Sequence, residues 1–137
     1  MTGGFALDSA MTTHLKLRFD FDDTRRLGPG KIELLEAIRR HGSIAAAGRD
    51  FSMSYRRAWL LVDELNHMFT GPLVEARGGG RNGGGAVLTE LGETVVALYR
   101  EAERKMNRSV SREIEKIEQV LALASPPNSR KSSHEAA

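Results

Sequence analysis

From His14 the chain alternates polar and apolar positions, with Leu15, Leu17, Phe19 and Phe21 separated by Lys16, Arg18 and Asp20. A period of two predicts a strand that shows its four apolar side chains to one face. Residues 1–11 lack any period and are expected to be flexible. After the turn-rich stretch Asp22 to Gly30 the period lengthens: Ile32, Leu35 and Ile38 share one face of a helix. Pro29 stands near its start, where a missing N–H costs nothing, and the helix should stop near His41-Gly42. Ser43 suits the N-cap of a short helix, Ile44 to Phe51, whose Ala45, Ala46, Ala47 and Gly48 would let another helix approach closely. Ser54 can cap a third helix from Tyr55 to about Phe69, which Thr70-Gly71-Pro72 ends.

Two short strands are expected at Leu73 to Arg77 and Ala86 to Thr89, on either side of the glycine-rich run Gly78 to Gly85, which reads as a hairpin with a long, mobile tip. From Glu90 to Ala124, Leu91, Val95, Leu98, Ala102, Met106, Val110, Ile114, Ile117 and Leu121 recur every three or four residues, the stripe of a long amphipathic helix. Asn107, Ser109 and Ser111 are poorer helix formers and place a kink or break near residue 109. The polar, Pro- and Ser-rich stretch after Ala124 is expected to be disordered. The fold class is therefore mainly α with a small β-hairpin wing. A winged helix-turn-helix occupies residues 12–89, and a long C-terminal helix over residues 90–124 serves dimerisation.

Composition narrows the chemistry. The 137 residues are 40% hydrophobic and 28% charged, enough for one domain and an extension. Without cysteine there are no disulfides, thiolate metal sites or thiol nucleophiles. Apolar runs such as Trp59 to Val62 are far shorter than the roughly 20 residues that cross a bilayer, and the first eleven residues lack the basic start and apolar block of a secretory signal. No membrane partner and a cytoplasmic location are expected. His14, His41, His67 and His134 have no metal-binding spacing, and no nucleophile elbow occurs, so neither an enzyme nor a cofactor or metal is expected. Gly78 to Gly83 formally matches a dinucleotide-binding glycine pattern, but that pattern needs a strand before it and a helix after it. The net charge is only +2, yet residues 25–81 hold ten Lys and Arg against six Asp and Glu. That local excess favours salt-sensitive attraction to a polyanion.

On a wheel of about 100° per residue the third helix gathers Ala58, Leu61, Val62, Leu65 and Phe69 on one side and leaves Arg56, Leu60, Asp63 and His67 on the other. Tyr55 and Trp59 lie on one shoulder and Arg57 on the opposite one. Exposed guanidinium groups beside hydroxyl and aromatic groups can read the edges of bases and grip phosphates. Asp63 and Glu64 would repel phosphates, so only the N-terminal half should lie deep in a groove. The candidate DNA contacts are Ser43, Ser52, Ser54, Tyr55, Arg56, Arg57 and Trp59, joined by Arg81 and Asn82 at the wing tip; Leu91, Val95, Leu98, Ala102 and Met106 are the candidate dimer contacts.

The segments Gly42-Ser43-Ile44, Ser54-Tyr55-Arg56-Arg57-Ala58-Trp59 and Gly83-Gly84-Gly85-Ala86-Val87-Leu88-Thr89 closely resemble the N-terminal DNA-binding domain of ModE-type molybdate-dependent transcriptional regulators, and more distantly the LysR-type winged helix. The resemblance covers approximately Leu15 to Met106. It implies a regulator of transcription on double-stranded DNA, a homodimer joined through its terminal helix and N-terminal segment, and operators with two-fold symmetry. It also implies that the recognition helix begins at Ser54 and that Gly78 to Gly85 is the wing. Full-length members carry C-terminal molybdate-binding domains, for which the residues after Ala124 are too few, so molybdate sensing is not carried over. Regulation by abundance, by a partner, or by a separate oxyanion-binding protein all remain open. The alternative is a protein-interaction module that uses the winged helix and the long helix without DNA, since fold does not dictate function.

Overall fold

A computed structural model describes residues 13–78 and 84–122, and its elements follow the predicted order with one revision. The revision is at the N-terminal arm. Leu15, Leu17 and Phe19 are half-buried between exposed polar neighbours, as alternation requires, but Phe21 is exposed. The ladder itself is only two residues long: β1 (Phe19–Asp20) pairs antiparallel with β2 (Arg26–Leu27), which the sequence hid in a turn-rich stretch. Asp22 holds the intervening turn by accepting from the Thr24 and Arg25 backbone N–H groups. With the Arg25 guanidinium also against it, its carboxyl is held down to about 2.

α1 (Pro29–His41) begins with proline in its first turn and ends at Gly42, whose φ of 72° is the left-handed cap geometry that glycine adopts freely. Its Ile32, Leu35 and Ile38 are fully buried, together with Leu34 and Ala37. α2 (Ile44–Arg49) is capped by Ser43 Oγ, which accepts the Ala46 N–H at 2.9 Å, and α3 (Tyr55–Met68) by Ser54 Oγ, which accepts the Arg57 N–H at 3.1 Å. The turn between them is tight: Ser52 takes a φ of 55°, and a Cβ on Gly48 would lie 3.0 Å from Ala58 Cβ. The small residues of α2 thus serve the close helix contact that the sequence suggested.

β3 (Val74–Arg77) and β4 (Gly85–Leu88) pair antiparallel, Val74 opposite Leu88 and Arg77 opposite Gly85. Strand, glycine-rich connection and strand leave no place for the helix that a dinucleotide site needs. α4 (Glu90–Ser109) follows, and the break expected near residue 109 is present. The helix is not continuous to residue 124: it breaks at Val110, and α5 (Ser111–Gln119) starts afresh, where Ser111 Oγ donates to the Arg108 carbonyl. The chain divides into two compact units at this level, one ending at Met106 and one starting at Asn107.

Within the first unit, α1, α3, the hairpin and α4 enclose one core, with Leu65, Leu73 and Tyr99 among its fully or almost fully buried members. Tyr99 donates its hydroxyl to the Leu17 carbonyl at 2.6 Å and meets Phe19 edge to face, so α4 fastens the N-terminal arm. This is a winged helix-turn-helix.

Arg100 makes a two-pronged pair with Glu36 of α1, at 2.9 and 2.7 Å, and also donates to Glu103. The guanidinium holds the Glu36 carboxyl below its ordinary value of 4.5. A carboxyl whose folded value is depressed contributes stability that is complete above its unfolded value and is lost as pH falls through the folded one. We therefore expect stability in urea to decline as pH drops below about 4.5, and Glu36→Gln to flatten that decline. An unchanged acid profile in the variant would show that the pair contributes nothing to it.

Candidate nucleic-acid interface

Ion pairing sorts the lysines and arginines from Arg25 to Arg77 into two groups. Arg25, Arg26, Lys31, Arg39 and Arg40 each face an acidic partner: Asp22, Asp20, Glu64, Glu93 and Asp50. His41 and Arg40 together hold the Asp50 carboxyl below its ordinary range. Arg49, Arg56, Arg57 and Arg77 are exposed, and none of the four has an acidic partner among the described residues. They stand at the end of α2, on the first turn of α3 and at the end of β3. Charge counting along the sequence could not separate the two groups, since it sees arginines and not their neighbours. Arg49 and Arg77 are therefore additions to the predicted contacts.

The core fixes how α3 presents itself. Ala58, Val62, Leu65 and Met68 are buried, which turns Arg56, Leu60 and His67 outward. Met68 is buried at the end of the helix, while Phe69, predicted for the core, is only half-buried there. Trp59 is 46% exposed and Tyr55 58%, so neither is a core aromatic. Both line a cleft of about 360 Å³ between α3 and the hairpin, with Ser43, Asp63, Asn66 and Glu75. Ser52 and Ser54 are exposed; Ser43 is half-buried and holds the start of α2. Glu64 is neutralised by Lys31 at 2.9 Å, and Asp63 lies 3.5 Å from His67. Both acids stand beyond the first two turns of α3, which leaves its N-terminal half electropositive.

Asn66 gave no signal in the sequence. Its side-chain oxygen accepts the Leu73 and Val74 N–H groups at 2.8 and 3.0 Å, and its amide donates to the Val74 carbonyl at 3.0 Å. This one side chain ties the start of the wing to the recognition helix and so sets the angle between the two basic surfaces. Gly85 closes the other side: Ala86 N donates to the Gly42 carbonyl at 2.9 Å, and a Cβ on Gly85 would come within 2.8 Å of that oxygen. Arg81 and Asn82, predicted at the wing tip, lie outside the described residues.

A two-helix reader with an exposed basic first turn, followed by a hairpin, has the geometry of a major-groove binding module. The sequence pattern of the bacterial regulatory helix-turn-helix proteins of the lysR family matches residues 30–93. The chain is 51% identical over 74 residues to the molybdenum-pterin-binding protein MopA of Rhodobacter capsulatus, covering 54% of this chain and 28% of that protein. It is 38% identical over 105 residues to the molybdenum transport protein ModE of Azotobacter vinelandii, covering 77% and 39%. It is 42% identical over 71 residues to the DNA-binding transcriptional dual regulator ModE of Escherichia coli strain K12, covering 52% and 27%. The chain thus spans well under half the length of these relatives. The matched stretch, residues 30–93, contains all four of the arginines named above as lacking an acidic partner among the described residues. No helix among the described residues is long and apolar enough to cross a membrane.

Proposed function

We propose that this chain is a homodimeric, sequence-specific regulator of transcription that acts on genes of molybdate transport or metabolism. The observation that carries the proposal is the pair Arg56 and Arg57, exposed on the first turn of a capped helix and without acidic partners among the described residues, held outward by a buried face of α3. In this reading residues 12–89 bind DNA, Ser54 to Trp59 enter the major groove, and Arg49 and Arg77 meet flanking phosphates. The wing, with Arg81 and Asn82, follows the adjacent backbone or minor groove. The molybdate link rests on the names of the similar proteins. An oxyanion-binding partner protein would supply sensing if molybdate is the signal.

The dimer reading is supported by a mismatch on α4. Gly92, Val96 and Tyr99 face the core, while the predicted stripe is offset to one side: Leu91, Val95, Ala102 and Met106 are half-buried, and Leu98 is 64% exposed. Val95 and Leu98 border an apolar groove with Phe19, Phe21, Leu27 and Phe69. A second copy would cover this surface and place two recognition helices about 34–36 Å apart, one helical turn of DNA. Leu98→Glu should leave the monomer folded and convert the dimer to monomers in sedimentation velocity. A persistent dimer would remove the α4 stripe from the interface.

The function itself is tested by selecting bound fragments from a genomic DNA pool, with and without molybdate or tungstate, and titrating the selected duplex with salt. The logarithm of the association constant should fall linearly with the logarithm of salt concentration, with a slope steeper than about −3. Failure to select any duplex, or a slope near zero, would return the chain to a protein-contact role.

A further inference from the structure

Leu60 sits on the outward line of α3, one turn beyond Arg56, and the interface described so far gives it no role. It is 47% exposed, and Trp59 beside it is 46% exposed. A single exposed leucine means little on most surfaces. Here the leucine lies one turn beyond Arg56, which has no acidic partner among the described residues, and on the side of Arg56 away from the Trp59 wall of the cleft, on the helix whose opposite face already fills the core with Ala58, Val62, Leu65 and Met68. The surface around it is complementary in charge to a nucleic-acid backbone, because Arg49, Arg56, Arg57 and Arg77 have no acidic partners among the described residues.

Within a major groove the four bases offer donors and acceptors, and only thymine adds an apolar group, its 5-methyl. A leucine cannot answer a donor or an acceptor, and pressed against one it would leave that group without water or partner. Its favourable neighbour is the methyl. Arg56 and Leu60 are four residues apart, about 6 Å along the helix axis, or nearly two base-pair steps of about 3.4 Å. Beyond Leu60 the next outward residues are Asp63 and His67, and Asp63 would be repelled by the backbone, so Leu60 is the last side chain on this line suited to the groove floor.

We propose that Leu60 is a specificity-determining residue that packs on a thymine 5-methyl group, so that each half-site carries a thymine one or two base pairs from the base that Arg56 contacts. The inference rests on α3 lying in the major groove, and its test separates the two.

The probe is the duplex selected from the genomic pool, with deoxyuridine replacing each thymine of one half-site in turn, bound to the full chain and followed by fluorescence anisotropy at fixed salt. Wild-type protein should lose roughly fourfold in affinity at one position, the weight of burying a single methyl group. Leu60→Ala, whose side chain is outside the core, removes the contact from both half-sites, so it should lose about the square of that factor, roughly 16-fold, on the unmodified duplex and be indifferent to uracil at that position. The proposal is overturned if no uracil substitution weakens the wild type, or if Leu60→Ala keeps the full sensitivity. Tight binding with either of those results would leave the groove reading standing and remove only Leu60. Absence of any DNA binding would overturn both.

Discussion

Arg56→Ala should weaken binding to a selected operator by about 1–3 kcal/mol, roughly 5- to 150-fold, without lowering the unfolding midpoint. The two halves of that expectation have separate causes. Arg56 is exposed, makes no ion pair among the described residues and contributes nothing to the core, so its removal leaves the fold intact. In the groove the same guanidinium would form paired hydrogen bonds to a guanine edge, and truncation leaves those acceptors without a donor. Arg39→Ala is the matched control. It removes a cation of equal formal charge from the same domain, but one already engaged by Glu93. Operator affinity measured for both variants at one salt concentration should fall sharply for the first and little for the second. Equal losses would mean that bulk charge, not groove contact, governs binding. No loss in Arg56→Ala would remove this residue from the interface.

The largest effect on stability is expected at Gly92. A Cβ built there would stand 2.2 Å from the Leu73 carbonyl oxygen and 3.1 Å from its carbonyl carbon, both backbone atoms that cannot swing aside. The contact is close because the start of α4 is laced to the start of the hairpin. Thr89 N donates to the Leu73 carbonyl at 2.9 Å, Thr89 Oγ donates to the Pro72 carbonyl at 2.8 Å, and Gly92 N donates back to Thr89 Oγ at 2.9 Å. Glycine inside a helix ordinarily costs about 1 kcal/mol relative to alanine, so on an open helix Gly92→Ala would stabilise. Here the clash reverses the sign, and we expect a loss of about 3 kcal/mol, at the upper end of overpacking costs. Urea denaturation decides the matter, with Thr94→Ala on the exposed side of α4 as reference. A midpoint at or above wild type would mean that α4 does not approach Leu73 this closely.

Helix starts were legible where a local rule applied. Pro29, Ser43 and Ser54 each stand where a first turn needs them, and the outcome depends only on residues three or four positions away. The weak helix formers around Ser109 likewise predicted the interruption found at Val110. The N-terminal arm was less legible. Its alternation correctly described Leu15, Leu17 and Phe19 as shielded but not Phe21, and a ladder needs a neighbour, of which β2 supplies only two residues. The sequence named a stripe for dimer contacts on α4 but did not name the helix's core side. The sequence offers Leu91, Val95 and Leu98 as the natural stripe, whereas the core takes Gly92, Val96 and Tyr99 because the Leu73 backbone demands a glycine and the Leu17 carbonyl a hydroxyl.

For the candidate interface, sequence alone determined the two-helix reader, its caps, and the outward position of Arg56. These follow from periodicity and near-neighbour hydrogen bonds, which the order of residues contains in full. Only the tertiary structure decided which arginines are left unpaired, which glycine is indispensable, and that Asn66 fixes the wing to the recognition helix. Lys31 meets Glu64, Arg39 meets Glu93 and Glu36 meets Arg100 across 33, 54 and 64 positions of chain. Such partners are chosen by the packing of the whole core, and no local pattern encodes a distance between residues that far apart.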